Sequence, residues 1–178
     1  MAEKHRFKRN IKMKLTDILP LEKWVELEKE INRRSGLNAS VFDVKGIRIS
    51  DFQKWPNRLC PAIKANDKGQ SFICAVAHMN LAVQAKQTGK AVIEECDAGL
   101  FKVVYPVFAQ GEFLGVVGGC GLLLDDSETD TFLINKITDI DEEKIEKLST
   151  GIERISRTEI EELAHYMKEE VDKITGNL

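Results

Sequence analysis

The segment from Ala91 to Leu124, AVIEECDAGLFKVVYPVFAQGEFLGVVGGCGLLL, contains three runs that are rich in β-branched and aromatic residues. The runs are Ala91 to Cys96, Leu100 to Ala109 and Glu112 to Leu124. Gln110-Gly111 predicts a tight turn between the last two runs, which should therefore pair as antiparallel strands. Glycines are dense in the last run, and such glycines usually permit the close approach of a backbone, a helix or a ligand. The segment thus predicts three strands of an antiparallel sheet.

Helical and β patterns alternate upstream of this segment. Apolar spacing predicts a helix over residues 20–35, and the string Asn38 to Ser50 predicts two short strands around the turn Asp43-Val44-Lys45-Gly46. A short helix is predicted over residues 58–65 and a longer one over residues 70–88. We expect the longer helix to pack on the sheet with one apolar stripe and to face a cavity with the other. The two stripes are Phe72, Val76, Met79 and Val83, and Cys74, His78, Leu81 and Ala85.

The chain has a helical pattern from Asp125 onward. Ser156-Arg157-Thr158-Glu159 is a capping-box string, and it precedes an apolar stripe that runs from Ile160 to Ile174. This stripe should cover the sheet or pair with a second copy of the chain in a homodimer. Because strands and helices do not alternate one for one, a parallel doubly wound sheet fits poorly. The predicted fold class is α+β, an antiparallel five-stranded sheet with flanking helices on one side and a C-terminal helical extension.

The composition of the 178-residue chain is that of one soluble domain, with 43% apolar and 31% charged residues. The net charge of −3 argues against direct nucleic-acid binding by the whole molecule, although a short basic arm spans Met1 to Lys14. No apolar run reaches the roughly 18–20 residues of a membrane span, and no secretory signal pattern is present. We therefore expect a cytoplasmic protein without membrane contact, in which thiols stay reduced.

The middle of the chain contains all four cysteines: Cys60, Cys74, Cys96 and Cys120. Cys74 and His78 are one helical turn apart, and Asp97 directly follows Cys96. Three interpretations of the cysteines stay open. They are small buried hydrophobic residues, ligands of a zinc ion or an iron–sulfur cluster, or thiols that line a pocket for an organic molecule.

In the metal interpretation the ligands are Cys60, Cys74 and Cys96, with His78, Asp97 or Cys120 as the fourth. A further alternative is an enzyme in which Cys74 and His78 form a nucleophilic pair. No oxyanion-hole string accompanies that pair, and no orienting motif is visible beyond Asp97. We therefore expect a binding protein rather than an enzyme.

The segment from about Gly36 to Leu124 contains a set of short motifs. The central one is Cys96-Asp97-Ala98-Gly99-Leu100, and Cys60 and Cys74 come before it in the chain. Further motifs are Ser35-Gly36-Leu37, Asp43-Val44-Lys45-Gly46, Lys68-Gly69, Thr88-Gly89-Lys90, Tyr105-Pro106-Val107, Gly111, Gly115 and Gly118-Gly119. Together they resemble the PocR-type sensory domain, a PAS-like ligand-binding module of bacterial and archaeal transcription regulators and two-component sensors. The resemblance implies a basic N-terminal arm over 1–19, the sensory domain over 20–124 and a helical extension over 125–178.

The chain departs from the family pattern at three places. The family has Ser-Asp at Ala77-His78, His at Asp97, and Gly-Gln at Gly119-Cys120. At positions 78 and 97 the family has Asp and His, whereas this chain has His78 and Asp97. The exchange suggests that His78 and Asp97 face each other across one site and form a hydrogen bond there.

The resemblance implies a sensory domain of a prokaryotic signalling or transcription-regulatory system, with a small hydrocarbon derivative such as an alcohol or a diol as its ligand. We expect the site to lie between the 70–88 helix and the sheet, lined by Cys60, Cys74, His78, Cys96, Asp97 and Tyr105. Ligand binding should favour one packing of the C-terminal helices and so signal to a protein partner, such as a kinase or a transcription regulator. The chain after Asp125 is too short for a separate output domain, so we expect a standalone sensor or a part of a larger regulator.

Overall fold

The computed structural model describes residues 12–176, and their fold is α+β, as predicted. The strands are β1 (Asn38–Asp43), β2 (Val92–Glu95), β3 (Phe101–Ala109), β4 (Glu112–Leu124) and β5 (Arg154–Ile155). The α-helices are α1 (Leu15–Ile18), α2 (Leu21–Ser35), α3 (Leu59–Lys64), α4 (Val76–Thr88), α5 (Thr131–Thr138), α6 (Glu142–Ser149) and α7 (Arg157–Thr175). A π-helix, Gly69–Ala75, directly precedes α4.

The sheet has the order β1-β4-β3-β2, and these four strands pair antiparallel. The fifth strand differs from the one expected. It is β5, which pairs in parallel with the end of β4, whereas the run after Gly46 makes only a single bridge, between Phe42 and Arg48. The run stays beside β1 through two backbone hydrogen bonds, from Asp43 to the Ile47 carbonyl and from Ile49 to the Val41 carbonyl. Its side chains add two more: Ser50 donates to the Glu28 carboxylate, and Arg48 donates to the Ala39 carbonyl.

Helices cover both faces of the sheet, not one face as expected. The strand residues Val41, Val103 and Val117 pack with apolar side chains of α2 and α7 on one face. On the opposite face, Val104 and Val116 pack with α4. A third apolar cluster joins α3 and the π-helix to α5 and α6 at the end of the sheet. Both faces are covered because successive residues of a strand point to opposite sides, and both sets are apolar here.

The glycines of β4 allow close backbone contacts, as their density predicted. A Cβ atom at Gly118 would lie 2.0 Å from the carbonyl oxygen of Val103, and one at Gly115 would lie 2.0 Å from that of Phe42. Neither distance is compatible with a side chain. β4 therefore needs glycine in order to pack between β1 and β3.

The segment predicted as one helix over 70–88 consists of the π-helix and α4, and the roles of its two apolar stripes differ from the expectation. The side chains of Phe72, Met79 and Val83 are more than half exposed. The other stripe is the buried one: Leu81 and Ala85 pack on the sheet. Periodicity identifies both stripes but does not distinguish them, because the face that meets the sheet is chosen by packing.

The C-terminal helices pack against the rest of the chain. The predicted capping box at Ser156 and Glu159 begins α7, and Ile160, Leu163 and Met167 are buried against the sheet. Of the two ways proposed for the apolar stripe of this helix, covering the sheet is therefore the one observed. The predicted basic arm over 1–19 lies partly outside the described residues. Within the described part, α1 packs into the core through Leu15, which is 2% exposed.

None of the helices in residues 12–176 combines the length and the apolar character that a membrane span requires.

Candidate functional site

A cavity of about 210 Å³ lies between the sheet and the segment formed by the π-helix and α4. Alternate residues of β1, namely Asn38, Ser40 and Phe42, form one wall, because every second side chain of a strand points to the same face. Cys120 of β4 and Lys102 of β3 continue this wall, since Asn38, Cys120 and Lys102 are register partners across the three strands. We call this space the helix–sheet cavity.

The opposite wall comes from the helices and from the loop after β2. Ile73, Cys74, Ala77 and His78 line it from the π-helix and α4. The remaining lining residues include Cys60, Ile63 and Lys64 of α3, and Cys96, Ala98 and Leu100 between β2 and β3. The cavity is therefore mainly apolar, with a small number of polar groups, which is the usual composition of a small-molecule site.

The π-helix contributes to the shape of this wall. A Cβ atom at Gly69, its first residue, would lie 2.4 Å from the carbonyl oxygen of Ile63, so only glycine lets the π-helix approach α3 this closely. Such wide helical turns are rare and occur frequently at functional sites. The spacing of apolar residues did not predict this turn, because a π-turn and an α-turn differ by only one residue.

All four cysteines line the helix–sheet cavity. Burial raises the pKa of Cys74 to about 11, and it also raises the pKa values of Cys60 and Cys96. These three thiols are therefore uncharged at neutral pH. The Asn57 side chain donates a hydrogen bond to the Cys60 sulfur at 3.3 Å and accepts one from the Cys60 backbone at 2.7 Å, which fixes the start of α3.

His78 is buried in the cavity wall, with 5% of its surface exposed, and its ring lies 3.8 Å from the ring of Phe42, centroid to centroid. Burial lowers the pKa of His78 to about 3, and the positive charges of Lys102 and Lys64 lower it further in the same direction. Neither ring nitrogen has a hydrogen-bond partner in the protein. A neutral imidazole has one donor and one acceptor nitrogen, so His78 has both functions free.

Two residues expected in the site lie elsewhere. Tyr105 is on the face of β3 that packs with α2 and α7, because residue 105 points away from the side that carries Lys102 and Val104. Asp97 is exposed and does not line the helix–sheet cavity. The suggested hydrogen bond between His78 and Asp97 was therefore wrong, since both nitrogens of His78 lack a partner.

The lining residues that were missed at the sequence level include Phe42, Arg48 and Lys102. Phe42 and Lys102 could have been found from the sequence, because each lies in a β run. Alternation along the strand places each on the sheet face that points away from the largest apolar cluster. Arg48 could not have been found in this way, since its position depends on how the chain turns back after Gly46. The Arg48 guanidinium carbon lies 5.8 Å and the Lys102 ammonium nitrogen 5.9 Å from the centroid of the Phe42 ring.

Within residues 12–176, no three or more His, Cys, Asp and Glu side chains are arranged so that they could hold a metal ion. The pair of Cys74 and His78 is also not activated for nucleophilic chemistry. A catalytic pair of this kind is a thiolate beside an imidazolium, whereas the pKa of Cys74 is raised to about 11 and that of His78 is lowered to about 3. Both groups are thus neutral near pH 7.

The burial of His78 predicts a loss of stability in acid. Its pKa is about 3 in the folded chain against 6.5 in the unfolded chain, so protons bind preferentially to the unfolded state between these values. The free energy of unfolding therefore contains the full contribution of His78 above pH 6.5, and this contribution is lost as the pH falls towards 3. We expect His78 to account for about 2 kcal/mol of the decrease in unfolding free energy between pH 7 and pH 4.5. Urea unfolding of the wild type and of His78→Gln at both pH values measures this contribution.

The matched control for this measurement is His165→Gln, on the exposed surface of α7. This variant keeps His78, so it should still show the acid-induced loss that His78 causes. Glu28, whose pKa is raised by burial, acts with the opposite sign, but it is present in all three proteins and cancels in the comparison. Equal acid sensitivity of the wild type and His78→Gln would contradict the assignment.

A family model described as "Sensory domain found in PocR" matches residues 17–176 of the chain. The match begins within α1, covers α2 to α7 and so includes every element that lines the helix–sheet cavity. Comparison with curated proteins and with solved structures gave no match.

Proposed function

Because this chain belongs to the family of the PocR sensory domain, we propose that it is a small-molecule sensor whose ligand binds in the helix–sheet cavity. The observation that carries this proposal is the unpartnered imidazole of His78 in the cavity wall. A buried polar group without a hydrogen bond costs free energy, so an unpaired group in a native protein needs an explanation. A ligand that hydrogen-bonds to His78 supplies one.

The composition of the wall supports a ligand that has both carbon and oxygen atoms. Ile63, Ile73 and Leu100 offer apolar contacts, and the thiols are neutral and accept carbon atoms as neighbours. The side-chain oxygen of Gln70 is another buried acceptor without a partner. A hydroxyl group suits a neutral imidazole because it both donates and accepts. The alcohol or diol class implied by the family resemblance is consistent with these contacts.

The packing around the cavity supports a route for the signal. Ile63, Ile73 and Leu100 belong to one apolar cluster with Ile134 of α5 and Ile145 of α6. A ligand that changes the packing of the cavity wall therefore acts on the helices behind it. We propose that ligand binding shifts the population of two packings of these helices, which a cytoplasmic partner such as a kinase or a transcription regulator reads.

Filling the cavity should abolish ligand binding. Ala77 lines the cavity, and Ala77→Leu adds three carbon atoms to the space that the ligand would occupy. In a thermal-shift screen of short alcohols, diols and hydroxy acids, a ligand at 100 times its Kd should raise the melting temperature of the wild type by about 5–10 °C. Ala77→Leu should lose this shift.

Asn80→Leu is the control for the cavity-filling variant, because it places the same side chain on the exposed surface of α4. It should keep the full ligand-induced shift. A ligand that stabilises Ala77→Leu and the wild type equally binds elsewhere, and this result would contradict the proposal.

The convergence of four cysteines on one cavity favours a second candidate, a redox or metal sensor. Thiolates bind zinc and iron–sulfur clusters, and Cys60, Cys74, Cys96 and Cys120 provide the number of ligands that both use. These side chains would have to move closer together to share a metal, because their arrangement within residues 12–176 does not hold one. Metal analysis and the visible absorption spectrum of anaerobically purified protein test this candidate. A brown or zinc-containing sample whose metal is lost in Cys74→Ser would support it over an organic ligand.

A further inference from the structure

The helix–sheet cavity is lined by four basic residues and by no acidic residue. The basic residues are Lys45, Arg48, Lys64 and Lys102. None of them forms an ion pair with a carboxylate in residues 12–176; the ion pairs of the described chain involve other residues. Two of the four, Arg48 and Lys102, are largely removed from solvent and decide the electrostatics of the cavity.

Arg48 has free hydrogen-bond donors at the cavity. Its Nη2 donates to the Ala39 carbonyl, while Nε and Nη1 are buried and have no partner. Glu28 is an acidic neighbour, but its carboxylate accepts from the Val41 backbone and from the Ser50 hydroxyl and does not line the cavity. Burial lowers the pKa of Arg48, although Glu28, Cys120 and Asp51 act in the opposite direction. The guanidinium is still charged at neutral pH, because arginine does not lose its proton in proteins.

Lys102 is the second buried cation, with 8% of its surface exposed. Glu94 is its register partner on β2, but the Glu94 carboxylate is exposed and accepts a hydrogen bond from Gln84. The Lys102 ammonium instead lies near the Phe42 ring, and the ring face offers a cation only a weak attraction. A buried ammonium without an anionic partner is costly, and so is a buried guanidinium with unpaired donors.

Cys60, Cys74 and Cys96 do not balance these charges. Burial raises the pKa values of Cys60, Cys74 and Cys96, so these three cysteines carry no negative charge near pH 7. The imidazole of His78 is neutral as well. The cavity therefore has a net positive charge, a guanidinium with two buried free donors at Arg48, the largely buried Lys102, and an apolar wall formed by Ile63, Ile73 and Leu100.

We propose that the natural ligand is a small organic carboxylate, whose carboxylate group binds Arg48 and Lys102 while its carbon chain contacts the apolar wall. This inference rests on the proposed function. It specifies an anionic ligand in place of a neutral alcohol or diol. A hydroxyl group on the same molecule pairs with His78, so a short hydroxy acid satisfies all of these unpartnered groups together. An inorganic anion fits less well, because it leaves the apolar wall without a partner.

Matched compounds test this proposal by isothermal titration calorimetry. Lactate, lactamide and propane-1,2-diol share a three-carbon skeleton, and 3-hydroxybutyrate, 3-hydroxybutyramide and butane-1,3-diol form a second set. In at least one set, the carboxylate should bind about tenfold or more tightly than the amide and the diol, since hydrogen bonds to charged groups are the stronger ones. Lys102→Met and Arg48→Met should each remove that preference, and Lys90→Met, at an exposed position outside the cavity, should keep it.

Tighter binding of the diol or the amide, lost in Ala77→Leu, overturns the carboxylate proposal and leaves the proposed function intact. Binding of inorganic phosphate in preference to both carboxylates also overturns it, because phosphate has no carbon chain. Binding of none of these compounds to the wild type overturns the carboxylate proposal and counts against the proposed function. If Arg48→Met does not fold, Lys102→Met alone decides the role of the buried charge.

Discussion

Gly118→Ala should destabilise the chain by about 3 kcal/mol or more, a large part of the free energy that keeps a domain of this size folded. The new Cβ atom would lie 2.0 Å from the Val103 carbonyl oxygen and 3.0 Å from the Val104 Cα atom. These are backbone atoms, so no side chain can rotate away to make room. β4 also pairs with β1 on its other side, where Ser40 is the register partner of Gly118. Moving β4 away from β3 therefore pushes it into β1.

Urea unfolding followed by circular dichroism measures this loss. Gly89→Ala is the matched control, because Gly89 has a positive φ of 66° but no atom within 4 Å of a new Cβ. It should cost only the backbone strain of a left-handed alanine, about 1–2 kcal/mol. A Gly118→Ala variant that is as stable as Gly89→Ala would show that β4 does not pack this closely between its neighbours.

Met167→Asp should prevent the chain from reaching its native fold. Met167 is fully buried between α7 and the sheet, in a cluster with Tyr105 and Val103. An aspartate there places a charge among apolar side chains without a partner, and this costs several kcal/mol or forces the group to bind a proton. We expect α7 to detach, which exposes its part of the sheet face that it covers together with α2. The readout is the absence of a cooperative thermal transition, together with the loss of near-ultraviolet circular dichroism.

Met79→Asp makes the same chemical change on α4, where Met79 is 61% exposed. The free energy of unfolding should change by less than about 1 kcal/mol, because surface substitutions usually have small effects. If Met167→Asp kept a cooperative transition near that of the wild type, α7 would be a removable extension of the sheet rather than its cover.

The exposed apolar stripe of the π-helix and α4 shows the limit of periodicity. Phe72, Met79 and Val83 have the spacing of a buried helix face, yet they are more than half exposed. The stripe with Leu81 and Ala85 is buried instead, because a small residue and a leucine fit against Val104 and Val116. Sequence patterns report which residues share a face, whereas shape complementarity selects the face that meets the sheet.

The candidate site was predicted in part, and the reason lies in strand geometry. Cys60, Cys74, Cys96, Cys120 and His78 do line one cavity. Tyr105 does not, because its odd position on β3 points to the face covered by α7. Family motifs mark the residues near the site, but the side of the sheet that each one faces follows from register and bulges. β3 and β4 have a register shift between Phe101 and Lys102, next to the cavity.

Residues that are neighbours in the chain were enough to predict α2, α3, α4 and α7, the strands β1 to β4, the turns at Gly46 and Gly111, and the family, whereas α1 and the π-helix were not predicted. Only the tertiary structure decided that β5 rather than the run after Gly46 completes the sheet, and that α7 covers one face of it. It also decided that Arg48 and Lys102 share a cavity without a carboxylate. These two residues are far apart in the sequence, and the charge of a cavity depends on the side chains that folding brings together and on those that it keeps away.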